Sequence, residues 1–201
     1  MTKKASFILP KLTANGKRYL IVMIIGVLMN WLLFSAIDTN ALNLPVWLDC
    51  TGTAYAALLL EPTAGLIVGL INNCYLSIFV YGSNNLLSYF ISVVMALFVG
   101  IRMRNKDGSI NVKRIPSTAV LVFAVSVPIA VALHMWRSGG VPLGYWENLF
   151  YSYGIGWGLP TLPACLFGTA VVKGLDTIAT IGIVALFYRL TPSKLKYAPT
   201  L

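Results

Sequence analysis

Charge is scarce in this chain, and negative charge scarcest: 6 Asp and Glu stand against 15 Lys and Arg, and charged residues fill only 10% of the 201 positions. With so few solvated side chains, 58% hydrophobic residues and a mean hydropathy of +0.79, an ordinary soluble domain is excluded. The one histidine and the three cysteines, Cys50, Cys74 and Cys165, show no metal-ligand spacing. They give no reason to expect a metal site or a disulfide framework. Also missing are a glycine-rich loop followed by Lys-Ser or Lys-Thr, a His-Glu-x-x-His helix and a Gly-x-Ser-x-Gly elbow. The chain is therefore expected to be no enzyme and to carry no cofactor. The acidic rings and carbonyl-lined signature loops of ion channels are lacking too.

What the chain does have is apolar runs, at about 19–37, 43–60, 62–80, 86–101, 116–136 and 161–190. Each run before the last is close to the roughly 20 residues that cross a hydrocarbon core as a helix. Alternation with a period of two is absent, which excludes a barrel. The expected fold is thus an all-α membrane protein, a six-transmembrane-helix bundle forming one domain over 19–190, with tails at 1–18 and 191–201. Pro45 suits a first helical turn, and Glu61-Pro62 ends one run and opens the next, so spans two and three should form a tight hairpin. The first run is long and has no small-residue cleavage site after it, so it is expected to remain as a span.

Cations set the orientation. Lys3, Lys4, Lys11, Lys17 and Arg18 precede the first run, Arg102, Arg104, Lys106, Lys113 and Arg114 fill the fourth connection, and Arg189, Lys194 and Lys196 follow the last. Six spans put all of these on one face and leave Arg137 in a connection on the other, so both termini are expected in the cytoplasm of a plasma membrane. The net charge of +9 then reads as a topology signal with added attraction to anionic lipid heads, and gives no support to nucleic-acid binding.

Polar groups inside apolar runs are costly and mark either packing or a site. Asn30, Asn72 and Asn73 are amides within spans, and Asp49 opens the second span, where the helix dipole favours a carboxylate. Lys173 and Asp176 are three apart, which predicts a structural ion pair on one helix face. His134, near the outer end of the fifth span, reads as an interfacial hydrogen-bonder. Gly52 and Ala56, Thr53 and Ala57, and Gly65 and Gly69 are spaced four apart, a pattern that lets helix backbones approach closely. Between the fifth and sixth runs, "MWRSGGVPLGYWENLFYSYGIGWGLPTLP" sets seven aromatic rings, Trp146, Tyr151 and Trp157 among them, between glycines and prolines. It cannot form one regular helix. It reads as an interfacial belt or as a lid with aromatic walls over a cavity, and "IDTNALNLP" is placed to close that cavity from the other side.

Three stretches taken together, "IGVLMNWLL", "LPVWLDCTGTAYAALLLEPTAGLIVGLINN" and "KGLDTIATIGIVALFYRL", resemble the substrate-binding S component of energy-coupling factor (ECF) transporters, a class of ABC importers in prokaryotes. The run Leu48 to Asn73 carries the resemblance most specifically. It implies a six-helix bundle with cytoplasmic ends that captures a vitamin-like micronutrient from outside. The bundle would then dock on a membrane coupling subunit driven by two ATPase subunits and topple to release its cargo, with ATP used only by those partners. Carried over by position, Asn30, Asp49, Thr53 and Asn73 would form or support the pocket; the aromatic pattern itself, apart from the resemblance, offers Trp146, Tyr151 and Trp157 as stacking candidates. One departure lies in the first span, where Gly26 and Asn30 stand at the spacing of the two alanines that many S components use for docking. The rival expectation is a membrane scaffold or sensor-type bundle, which needs no pocket.

Overall fold

The computed structural model describes residues 16–38, 44–105 and 108–196. Lys3, Lys4, Lys11, Lys106 and most of the connection after the first run lie outside the described residues, as do the side chains of Asp38 and Lys194. The described chain is helical: α1 (Gly16–Asp38), α2 (Thr51–Leu59), α3 (Pro62–Phe79), α4 (Tyr89–Phe98), α5 (Ile115–Ser138), α6 (Tyr145–Gly156), α7 (Thr161–Leu190) and the single turn α8 (Ser193–Lys196). A 3₁₀ turn, Ser83–Ser88, leads into α4, and a π turn, Val99–Met103, ends it. Among the described residues the only bridge between extended segments joins Arg104 to Ile110.

Five helical segments are long and apolar enough to cross a membrane: Gly16–Ile37, Pro62–Phe79, Ser83–Met103, Val112–Ser138 and Thr161–Leu190. They correspond to the first, third, fourth, fifth and sixth apolar runs. Leu20, Ile24, Leu28 and Leu32 of α1 and Leu162, Leu166, Leu175 and Leu186 of α7 are exposed, as expected of faces whose solvent is lipid.

The second run departs from expectation. Only Thr51–Leu59 is helical, about 13 Å at 1.5 Å per residue and less than half the hydrocarbon core. Residues 44–50 are irregular, and Leu48 has a left-handed φ of 56°, costly for a branched side chain. Every residue of α2 is buried, and the helix sits at the centre of the bundle, against α1, α3, α4 and α7. The run is as apolar as its neighbours because protein, not lipid, surrounds it.

Small residues make that centre possible. A methyl added at Gly52 would lie 1.7 Å from the carbonyl oxygen of Gly26, so α1 and α2 touch backbone to backbone. One at Gly65 would lie 2.7 Å from the Ala57 methyl and 2.9 Å from the Thr53 carbonyl, and one at Gly69 would lie 2.8 Å from Ser92 Cβ. Ala56 is fully buried in the same core. The four-residue spacings in the sequence therefore seat α2 between α1 and α3, and Gly26 is spent on this contact.

Both ends of the bundle are defined by contacts. Arg18 of α1 donates to the carbonyls of Leu59, Leu195 and Lys196, Gly100 abuts Pro62, and Tyr188 donates to the Gly108 carbonyl. The start of α1, the end of α2 and the end of α7 thus meet at one end. At the other, Phe34 packs edge-on against Tyr81, and Arg137 of α5 donates to the Asn84 carbonyl and to Asn85 Oδ1 in the turn before α4. Glycines in the left-handed region, Gly139 and Gly140, stop α5 there and turn the chain toward α6.

Replacing Gly52 by Ala is expected to destabilise the protein by at least about 1–3 kcal/mol through overpacking. Gly182→Ala, where nothing lies within 4 Å, should be neutral or stabilising by up to about 1 kcal/mol. Thermal unfolding of both variants in detergent tests the contrast; equal melting would contradict it.

Candidate functional site

A short helix starting inside a bundle exposes backbone groups with no partner of their own. Side chains of α1 and α7 provide the partners. Asn30 Oδ1 accepts from the backbone N–H of Gly52 at 2.6 Å and of Thr53 at 3.3 Å, while Asn30 Nδ2 donates to Thr53 Oγ1 at 3.0 Å. Asn30 thereby caps α2 from a neighbouring helix. Arg18 satisfies the Leu59 carbonyl at the opposite end, at 2.8 Å. In the irregular segment, Asp176 Oδ1 accepts from the backbone N–H of Trp47 at 2.9 Å and of Leu48 at 2.8 Å. Thr51 donates to the Leu48 carbonyl and Asn72 to the Asp49 carbonyl.

The other oxygen of Asp176 faces Lys173, with Nζ and Oδ2 3.6 Å apart. The ion pair expected from the three-residue spacing is present, and its carboxylate also orders the chain that enters α2. Asn73 Nδ2 donates to the Gly69 carbonyl and to Ser92 Oγ, both at 2.8 Å, tying α3 to α4.

Above this network, at the end of the bundle holding Phe34, Tyr81 and Arg137, lies a cavity of about 320 Å³. Its size is within the range of small-molecule sites. Trp47, Phe34 and Tyr81 supply aromatic wall, and Asn84, Asn85, Ser88 and Arg137 line it from the turn before α4 and the end of α5. Asp49, Lys173, His134 and Glu147 add ionisable groups from four elements. His134 Nε2 and Glu147 Oε2 are 3.2 Å apart. Asp49 Oδ1 is buried without a hydrogen-bond partner, as is His134 Nδ1. A second cavity of about 260 Å³ shares Trp47, Tyr81, Leu143 and Gly144 with the first and adds Tyr145, Trp146 and Val172. Gly144 is needed there, since a methyl would lie 2.4 Å from the Trp47 ring.

Of the seven residues expected in a pocket, Asp49 lines the larger cavity and Trp146 the smaller. Asn30, Thr53 and Asn73 are buried in protein contacts below; they carry the broken backbone, a demand as strict as a ligand's. Tyr151 packs against Val127, Val131 and Cys165. Trp157 is 69% exposed beside Phe167, suited to the interfacial belt. Expected aromatic walls are present, but Trp47, Phe34 and Tyr81 contribute most. His134, expected at an interface, and Lys173, expected only as structural, both face the cavity. Glu147 and Arg137 escaped notice as ligand groups because isolated charges in a connection resemble ordinary interfacial residues.

The arrangement can hold a small flat solute by stacking and by ionic hydrogen bonds. Comparison with protein-family models, with curated proteins and with solved structures found no match to the chain.

Asp176→Ala would strand Lys173 and two backbone N–H groups, and a loss of about 3–5 kcal/mol is expected; Asn30→Ala should cost about 1–3 kcal/mol. Trp157→Ala should cost under about 1 kcal/mol, as for other surface changes. Unfolding in detergent measures all three, and a ranking with Trp157 first would refute the network.

Proposed function

We propose that this protein is the substrate-binding membrane subunit of an ECF-type ABC importer in a prokaryotic plasma membrane. It captures a vitamin-like or similar small solute from outside and passes it on through a coupling subunit and two ATPase subunits. The observation that carries the reading is the cavity bounded by Trp47, Asp49, Lys173 and Glu147, placed at the end of the bundle away from the cationic one. The resemblance of Leu48 to Asn73 and of the last helix to S components supports the same conclusion.

Six passes and two cytoplasmic termini belong to this reading. Residues 44–50 are not helical, and irregular chain advances roughly 2–3 Å per residue against 1.5 Å in a helix. With α2 they are long enough for a second pass. Lys17, Arg18, Arg102, Arg104, Lys113, Arg114, Arg189 and Lys196 flank the helix ends gathered around Arg18, Gly100 and Tyr188, which supports a cytoplasmic face there. No nucleotide has to bind this chain, because hydrolysis belongs to the partner subunits.

In physical terms, solute binding adds its free energy to the stability of the folded form. Any later tilting of the bundle would be eased by an outer half whose charges are few and mostly turned inward.

Mass spectrometry of material extracted from the purified protein should identify one bound small solute, and affinity purification should retain ATPase and coupling subunits. Trp47→Ala should weaken solute binding about tenfold by loss of stacking, with Trp157→Ala unchanged. Retention of wall-synthesis proteins in place of ATPases, with no solute, would favour a scaffold and refute the proposal.

A further inference from the structure

Two of the chain's six acidic residues, Asp49 and Glu147, line the larger cavity, and a third, Asp176, is paired with Lys173 of the same lining. Lys173 interacts electrostatically with all three. Its ammonium is 3.6 Å from Asp176 Oδ2, and Asp176 is further occupied by the Trp47 and Leu48 backbone. Glu147 is paired with His134, which neutralises it only when protonated. Arg137, the other cation on the wall, is turned toward neutral acceptors: the Asn84 carbonyl, Asn85 Oδ1 and Ser88 Oγ. Among the described residues these two are the ion pairs within 4.0 Å, and Asp49 Oδ1 is left buried with no hydrogen-bond partner.

A carboxylate oxygen withdrawn from water without a hydrogen-bond donor is unfavourable, and a ligand that brings the missing donor recovers that free energy. The group that fits is an organic nitrogen cation. Aromatic rings beside the acid, Trp47, Tyr81 and Phe34, attract a delocalised cation through their faces. A metal ion fits poorly, because among the described residues no three His, Cys, Asp or Glu side chains are grouped to hold one.

Building on the import reading above, we propose that the solute is a flat nitrogen compound whose cationic N–H group pairs with Asp49 at the floor of the cavity, its ring lying against Trp47. Lys173 stays with Asp176 and Arg137 ties the turn before α4 over the mouth, which leaves Asp49 to the solute. The preference for positive charge is set at Asp49, and a flat anion of the same size is rejected there by like-charge repulsion.

Three matched probes separate the possibilities: benzamidine, a flat cation with N–H donors; benzamide, its neutral counterpart; and benzoate, a flat anion. Each is titrated into the purified full chain in detergent and followed by tryptophan fluorescence and by the rise in melting temperature. Benzamidine should bind at least tenfold more tightly than benzamide or benzoate, and Asp49→Asn should reduce that ratio to below about threefold. Benzoate binding as tightly as benzamidine would overturn the charge assignment, as would an undiminished benzamidine preference in Asp49→Asn; the import reading would survive either. Binding of none of the three would overturn the proposed cation preference, while the import reading is decided by the extracted solute and the retained subunits. If Asp49→Asn fails to fold, the ratio in the unaltered protein decides alone.

Discussion

The structure depends on how a broken helix is tolerated at the centre of a membrane bundle. Backbone N–H and C=O groups cannot be left bare in hydrocarbon, yet α2 begins only at Thr51, after an irregular segment. Asn30 caps its start, Arg18 receives its end, and Asp176 holds the incoming chain at Trp47 and Leu48. The strained Leu48 conformation persists because these bonds over-determine it. A regular helix through the same stretch would need none of these side chains and would fill the cavity end of the bundle with its own.

The break creates the cavity. Where a full helix would pass, a thinner chain leaves room, and its two side chains turned toward that room are an indole and a carboxylate, Trp47 and Asp49. Asp176 links the two levels, one oxygen fixing the backbone and the other facing Lys173 in the cavity lining. Asp176 therefore joins the backbone of the segment to a cation of the cavity lining, and a change in the cavity's charge is felt by the chain that forms its wall.

Periodicity and composition made the membrane class, five of the helices and the α2–α3 hairpin legible, since apolar length and the Glu61-Pro62 break are local properties. The interruption of the second run was not legible. Leu44 to Leu60 is apolar throughout, and composition cannot tell a lipid-facing helix from a segment enclosed by protein. The same ambiguity blurred the site. Asn30 and Asn73 stood out as buried amides, and their partners, the backbone of Gly52 and the Ser92 hydroxyl, are visible only in three dimensions. Glu147 and Arg137 lay in aromatic and glycine-rich surroundings that pointed to the right region through its rings rather than its charges. Trp47 had a signal that could have been used: an aromatic residue two positions before an acid, ahead of a small-residue helix start.

The most direct test of the central claim is an experimental map of the purified protein, at a resolution that shows side chains, with its solute bound. The expected map has helix beginning near Thr51, Asn30 on the backbone of its first turn, Asp176 on the backbone of Trp47 and Leu48, and solute density between the Trp47 indole and the Asp49 carboxylate. A continuous helix across residues 43–60, or a solute bound away from both side chains, would contradict it.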